Sequence, residues 1–148
     1  TVVLTGSSGL LGSQYADVLS AAGANVILVD KEGKENKKLE AKLRKKYETT
    51  PLVCKVDVSD KKSIINMKKI ILKKFKKIDV LINNAYFNPN QSKYSSVSFE
   101  KFPLELWNQV LAVNLTGVFL CSQEIGKTMV EQKNGIIVRI DRNIYEPV

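Results

Sequence analysis

The sequence contains no histidine and only two cysteines, Cys54 and Cys121. With so few thiols and no imidazole, no ligand spacing typical of a zinc site is present. Two cysteines are also too few for a disulfide framework, and this usage is typical of a reducing compartment. We therefore predict a cytoplasmic protein without a bound metal, in which both cysteines pack as small apolar side chains.

The sequence also lacks a continuous apolar run near the roughly 20 residues that a membrane-spanning helix needs. It does not open with a charged and then apolar leader, and its first residue, Thr1, directly precedes an apolar strand. We expect no membrane partner, and we expect further residues before Thr1 in the natural protein. The length of 148 residues suffices for one domain with a core and is short for two. The patterns described below predict a single dinucleotide-binding domain over 1–148 that is incomplete at both ends.

Acidic residues are scarce relative to basic ones, with 15 aspartates and glutamates, 23 lysines and arginines and a formal net charge of +8. A basic surface can attract nucleic acid. The lysines, however, come in pairs within helical segments, and no aromatic residues alternate with them as a base-stacking groove requires. The pattern favours the solvent-exposed faces of helices and no nucleic-acid partner, with a nucleic-acid-associated protein as an alternative.

Short apolar runs alternate along the chain with helical patterns. Continuous apolar strands indicate a sheet covered on both faces, and a helix after each of the first four strands gives right-handed crossovers. This predicts an α/β fold, a doubly wound parallel sheet of Rossmann type in three α/β/α layers. The predicted strands are Val2–Leu4, Asn25–Asp30, Leu52–Val58, Asp79–Ala85 and Gly135–Ile140, and the predicted helices are Leu10–Ala22, Asn36–Tyr47, one after a cap at Ser59 and Asp60, and one from Pro103 to about Gln132.

The apolar residues of the first three predicted helices recur at helical spacing, which defines a face for each helix that packs on the sheet. The predicted inward faces are Leu11, Tyr15, Val18, Leu19 and Ala22 in the first, Leu39, Leu43 and Tyr47 in the second, and Ile64, Met67, Ile71 and Phe75 in the third.

A glycine-rich turn, TGSSGLLG, joins the first strand to the first helix. Its first glycine allows a sharp turn, its second lets backbone N–H groups approach a pyrophosphate, and its third lets the helix pack closely. Asp30 ends the second strand, where an acid accepts hydrogen bonds from an adenosine ribose. The combination predicts NAD rather than NADP, although Lys31 and Lys34 could hold a 2′-phosphate. The turn residues predicted to bind the cofactor are Gly6, Ser8, Gly9, Leu11 and Gly12.

Three further motifs follow in order. The third strand ends in VDV at Asp57, the fourth ends in NNA at Asn83–Ala85, and the long helix carries VNLTG at Val113–Gly117. With the glycine-rich turn, these motifs resemble the short-chain dehydrogenase/reductase family over nearly the whole chain. The commonest turn of that family is TGxxxGxG, whereas this chain has the TGxxGxxG spacing, which leaves the backbone path of the turn open.

The resemblance implies functions for the residues at the matching positions. Asp57 and Val58 would hold the adenine ring, and Asn84 and Ala85 would line the cofactor. Asn114 would be the asparagine of the catalytic tetrad, which interrupts the helix and holds a water for proton relay. Taken alone, Asn114 is either a satisfied core amide or a functional group.

Two positions depart from the family's pattern. Tyr86 stands where the family has glycine after NNA, and it either walls the nicotinamide side or packs at the edge of its loop. After the fifth strand, Asp141 and Arg142 occupy the positions of the family's serine, and Tyr145 has the wrong spacing for the tyrosine of the YxxxK motif. Either residues are missing from the sequence, which we favour, or the protein is a short form that binds a nucleotide without catalysis.

The resemblance implies an NAD(P)-dependent oxidoreductase that moves a hydride between the nicotinamide and a small alcohol or carbonyl substrate. The alternative is a non-catalytic NAD(P)-binding or regulatory protein built on the same fold. Members of the family commonly associate through their long helices. We therefore expect a homodimer or homotetramer formed through 104–132.

Overall fold

Strands and helices alternate in the computed structural model, which describes residues 1–89 and 97–141. A short 3₁₀ turn, Phe99–Lys101, precedes the fourth helix, and a π-helical segment, Ala112–Gly117, connects the fourth helix to the fifth. The strands are β1 Val2–Thr5, β2 Val26–Asp30, β3 Leu52–Lys55, β4 Val80–Asn83 and β5 Ile136–Arg139, and the helices are α1 Leu10–Ala21, α2 Gly33–Lys46, α3 Lys61–Phe75, α4 Leu104–Leu111 and α5 Val118–Gln132.

The five strands form one sheet in the order β3-β2-β1-β4-β5, and every neighbouring pair is parallel. In the register of the central strands, Val3 lies between Ile27 and Leu81. The chain leaves β1 towards β2 on one side and later returns to β4 on the other. This reversal opens a crevice at the carboxyl ends of β1 and β4, where ligands of open α/β sheets bind.

Two apolar cores cover the sheet, one on each face, and confirm the predicted three-layer, doubly wound fold. Val3 and Leu4 are adjacent and fully buried, and they point to opposite faces. Val3 joins the core formed with α3 and α5, whereas Leu4 joins the core formed with α1 and α2.

The inward faces of α2 and α3 are as predicted, but that of α1 is not. In α3, Asp60 caps the first turn by accepting hydrogen bonds from the next helical N–H groups. In α1 we expected Val18 and Ala22 to face inward, and both are exposed, Val18 by 67%. The buried residues of α1 are instead the small ones, Gly12, Ala16 and Ser20, because this helix lies close to the sheet and the turn.

The long helix predicted from Pro103 to Gln132 is present and is continuous through its π-helical segment. By length and composition it is apolar enough to cross a membrane, since Leu104–Gln132 has 29 residues and a hydropathy of 1.3 in its most apolar stretch, of which 17% is buried. The sequence prediction concerned continuous apolar runs, and polar residues such as Asn108, Asn114 and Gln123 interrupt this helix, so that prediction stands beside this finding. In this fold the helix packs through Cys121, Ile125 and Met129 on the core of one sheet face.

The fifth strand was predicted to be buried and is instead an exposed edge strand. Its apolar residues Ile136, Ile137 and Val138 are 60%, 44% and 36% exposed, because the described helices leave most of both faces of β5 uncovered at this edge of the sheet. β3 and β4 are also shorter at their carboxyl ends than predicted. The predictions for Arg142 and Tyr145 fall outside the described residues.

Both cysteines are buried free thiols, as predicted. Burial raises the pKa of Cys54 to about 11 and that of Cys121 to about 12, because a thiolate would lose its hydration. The two side chains therefore serve as small apolar groups of the core.

Candidate functional site

The glycine-rich turn lies against the end of β4 and depends on two close approaches. Gly6 has a φ of +66°, and a Cβ there would lie 2.7 Å from Ala85 Cα. A Cβ on Gly12 would overlap the carbonyl oxygen of Gly6. The turn is therefore as sharp as predicted at Gly6, and Gly12 allows α1 to begin directly against the turn itself.

The N-terminus of α1 faces the end of this turn without a capping side chain among the described residues. Gly9 has extended backbone before the helix, and its carbonyl accepts the first helical hydrogen bond, from Ser13 N at 2.9 Å. The first turn of α1 contains no acidic residue. Unpaired N–H groups and the helix dipole together favour an anion at such an end.

Asp30 ends β2 beside the turn, where the sequence predicted an acid. Its Oδ2 accepts a hydrogen bond from Ser8 N at 3.1 Å, and its Oδ1 accepts one from Glu32 N at 3.1 Å. Two carboxylate oxygens offer about four lone-pair positions, so acceptor capacity remains for ribose hydroxyls. Lys31 lines the same cleft, and Lys34 lines an adjoining open groove together with Lys31.

Asp57 and Val58 follow β3 on the far side of the cleft. Hydrogen bonds from Ser59, its hydroxyl at 2.6 Å and its N–H at 2.9 Å, lower the pKa of Asp57 from its ordinary value, with a smaller effect of the Lys31 charge. Val58 is buried against Gly117 of the long helix. The carboxylate is therefore held in place and ionised at neutral pH.

Asn84 and Ala85 join the end of β4 to the end of β1. The Asn84 amide nitrogen donates to the carbonyl oxygens of Thr5 at 2.9 Å and Gly6 at 3.1 Å. The hydroxyl oxygen of Thr5 accepts from the backbone N–H groups of Asn84 and Ala85, each at 3.0 Å. The side chain of Asn84 thus holds the turn, whereas Ala85 itself lines the cleft.

Asn114 lies in the π-helical segment, which agrees with the helix interruption that the resemblance implied. Its Oδ1 accepts a hydrogen bond from Phe87 N at 2.8 Å, and its Nδ2 donates to Phe87 O at 3.1 Å. The long helix is therefore fastened to the loop after β4, close to the cleft.

These elements border a cleft at the carboxyl ends of the strands, which measures about 470 Å³ when the space open to solvent is included. Of the predicted site residues, it brings together Gly6, Asp30, Asp57, Val58 and Ala85. The other turn residues, Ser8, Gly9, Leu11 and Gly12, lie beside the cleft in the turn and at the start of α1. Further lining residues are Val29, Lys31, Val56, Tyr86, Phe87 and Val113.

Several of these positions were missed by the sequence analysis. Val29, Val56 and Phe87 flank motif residues, and the rule that ligands lie beyond the carboxyl ends of strands would have included them. Asn36 was missed as a buried contact of the turn, although it lies at helical spacing from Leu39 and Leu43 on the inward face of α2. Within residues 1–89 and 97–141, no group of three or more histidine, cysteine, aspartate or glutamate side chains is placed to hold a metal ion.

A parallel sheet of this strand order, with a glycine-rich turn at the reversal point, defines a Rossmann-type α/β protein. The sequence matches the family described as short chain dehydrogenase over residues 1–143. The chain belongs to this family.

Individual relatives agree with this assignment. A Thermotoga maritima protein named as an uncharacterized oxidoreductase is 30% identical over 138 residues, which are 93% of this chain and 51% of that protein. The crystal structure of an NAD⁺-bound xylitol dehydrogenase matches with a TM-score of 0.82 and 27% identity, over 93% of this chain and 51% of that one. A metagenomic short-chain oxidoreductase in complex with NADP, at 24% identity and a TM-score of 0.84 over 100% of this chain and 65% of that one, shares the fold.

The chain thus spans about half the length of the first of these relatives.

Proposed function

We propose that this chain is the nucleotide-binding part of an NAD(P)-dependent oxidoreductase acting on a small alcohol or carbonyl compound. The observation that carries the proposal is the cleft at the sheet reversal, where Asp30, the glycine-rich turn and the uncapped start of α1 converge. Its membership of the short chain dehydrogenase family supports the reaction class. A bound NAD(P) would supply hydride transfer at its nicotinamide ring.

Different residues of the chain would bind different parts of this cofactor. Backbone N–H groups of the turn and the start of α1 would hold the pyrophosphate, and Asp30 would accept from the adenosine ribose. Asp57 and Val58 would border the adenine ring across the cleft from Ala85. Asn114, which fastens the loop at Phe87, would keep the nicotinamide end of the cleft in shape.

NAD is the cofactor that we propose, because a carboxylate at Asp30 would repel a 2′-phosphate. Lys31 and Lys34, which line the adjoining groove, would offset this repulsion in part. The measured affinities for NAD and for NADP decide between the two cofactors.

The test is a calorimetric titration of the purified chain with NAD and with NADP. We expect NAD to bind more tightly, and we expect Asp30→Ala to weaken NAD about tenfold or more, since it removes charge-assisted hydrogen bonds to the ribose. Glu48→Ala, which removes an exposed acid outside the cleft, is the matched control. Equal NAD affinity of Asp30→Ala and the unaltered chain would contradict the ribose assignment.

A second candidate function is nucleotide binding without catalysis. Asp141 occupies a position where the family's serine is expected, and it lies 3.9 Å from Arg139 in an exposed ion pair. A complete reading frame that continues with a serine and a YxxxK motif would support the enzyme. A frame without them, in a protein that binds NAD but oxidises no alcohol, would support the second function.

We also propose that the protein assembles through the outer face of its long helix in the cytoplasm. Large apolar side chains on that face are exposed, among them Leu104, Trp107, Leu115 and Phe119. Exposed apolar patches of this kind mark association surfaces. The molar masses of the unaltered protein and of Phe119→Glu, measured by sedimentation, would test the assembly. A monomeric unaltered protein would contradict it.

A further inference from the structure

A buried polar pair, Ser7 and Asn36, connects the glycine-rich turn to α2. Both residues have no exposed surface, and Ser7 Oγ lies 2.8 Å from Asn36 Oδ1. Asn36 Nδ2 lies 3.2 Å from the carbonyl oxygen of Leu28 in β2. Buried polar groups need such partners, since an unpaired one is costly. The pair therefore ties together a turn, a helix and a strand.

The carbonyl group of Leu28 fixes the direction of both hydrogen bonds. A carbonyl oxygen can only accept, so the Asn36 atom that faces it is the amide nitrogen. The amide oxygen then faces Ser7, whose hydroxyl must donate its single proton to it. The Ser7 hydroxyl consequently has no proton left to donate to a phosphate.

The neighbouring serine is placed differently. Ser7 N donates to Val29 O at 3.2 Å and Ser8 N donates to Asp30 Oδ2 at 3.1 Å, so β2 also holds the backbone of the turn. The Ser8 hydroxyl has no hydrogen-bond partner in the described part of the chain, and the residue is only half-buried. One serine of the turn is therefore an internal anchor, and the other remains available to a ligand.

We infer that Asn36 is a positioning residue for dinucleotide binding. Through Ser7 it holds the backbone N–H groups of the turn where a pyrophosphate meets them, and it leaves Ser8 as the hydroxyl that donates to a phosphate oxygen. Glycine-rich segments have many accessible conformations, so an anchor reduces the ordering that binding must otherwise impose. This inference rests on the proposed function.

The test measures the affinities of Asn36→Leu and Ser7→Ala for NAD, ADP-ribose and adenosine by calorimetry or competition. Leucine keeps the size of the side chain and removes both hydrogen bonds, whereas alanine removes only the hydroxyl. We expect each variant to bind NAD and ADP-ribose about tenfold more weakly, the effect of one lost hydrogen bond. The double variant should be no weaker than either single one, because the two residues share one network. Adenosine, which has no pyrophosphate, should bind as before.

Asn66→Leu on the exposed face of α3 and Ser20→Ala, a buried serine near the far end of α1 with no hydrogen-bond partner among the described residues, are matched controls, and both should bind like the unaltered chain. Thermal unfolding establishes which variants are folded. If Asn36→Leu does not fold, the test uses Ser7→Ala alone. Unchanged NAD affinity in a folded variant, or an equal loss of adenosine affinity, would overturn the inference alone. Failure of the unaltered chain to bind any dinucleotide would overturn the proposed function and this inference with it.

Discussion

Asn114 binds the backbone of Phe87 at both of its polar atoms, accepting from the N–H at 2.8 Å and donating to the carbonyl at 3.1 Å. The two residues lie on different elements, one in the π-helical segment and one in the loop after β4. This two-point contact makes the asparagine a support for Phe87, which lines the cleft, in addition to the function that the family resemblance implies for it.

We expect Asn114→Ala to destabilise the fold by about 1–3 kcal/mol, because it leaves the partly buried N–H of Phe87 without its acceptor. NAD affinity should fall as well, since Phe87 lines the cleft. Urea unfolding and an NAD titration measure the two effects. Asn108→Ala, an exposed asparagine on the same long helix, should change neither, and an equally stable Asn114→Ala would contradict the prediction.

Gly6→Ala should destabilise the protein more than Gly23→Ala, although both glycines have positive φ angles, of +66° and +83°. At Gly23 a Cβ meets nothing within 4 Å, so only the left-handed backbone costs energy, about 1–2 kcal/mol. At Gly6 the overlap with Ala85 is added, for a total of about 2–5 kcal/mol. Chemical denaturation of both variants compares them, and equal losses would show that the contact with β4 is unimportant.

Gly117→Ala should be destabilising and should be rescued in part by Val58→Ala. A Cβ on Gly117 would lie 2.9 Å from Val58 Cγ2, and crowding of this kind costs about 1–3 kcal/mol. Gly126→Ala on α5 is the control, because its Cβ would contact Ile137 at an ordinary 3.6 Å. That substitution should stabilise the helix by about 0.5–1 kcal/mol. A double-mutant cycle with no coupling between Gly117 and Val58 would be inconsistent with this contact.

Stability should depend on pH through Glu124, a buried carboxylate of α5. A hydrogen bond from Lys127 at 2.8 Å is the main cause that lowers its pKa from 4.5 to about 2, with Lys61 and Lys68 adding to it against the opposing effect of burial. Because the folded pKa lies below the unfolded one, the stabilisation is present at neutral pH. It is lost as the pH falls from about 4.5 to about 2.

Glu124→Gln should therefore be less stable than the unaltered chain at pH 7, and the difference should vanish towards pH 2. Glu131→Gln, on the exposed side of the same helix, serves as the control. Midpoints of urea unfolding across this pH range give the comparison. A difference between Glu124→Gln and the unaltered chain that stays constant with pH would exclude the proposed ionic origin.

Local patterns in the sequence were sufficient for the fold class and for the cleft at the carboxyl ends of the strands. Apolar runs and helical spacing each depend on residues near one another in the chain, so the alternation of strands and helices, the cap at Asp60 and the turn from Gly6 to Gly12 were predicted. The crevice followed from the direction of the strands, since parallel strands bring their carboxyl ends to one edge.

Only the tertiary structure decided which of these residues are buried and what they touch. The apolar pattern of β5 resembles that of β1, yet β5 is exposed because the described helices cover little of its two faces, and that covering depends on how distant segments pack. For the same reason the sequence did not reveal that Asn36 meets Ser7, or that Asn84 holds Gly6. Polar side chains acquire such partners only when the elements that carry them are packed together.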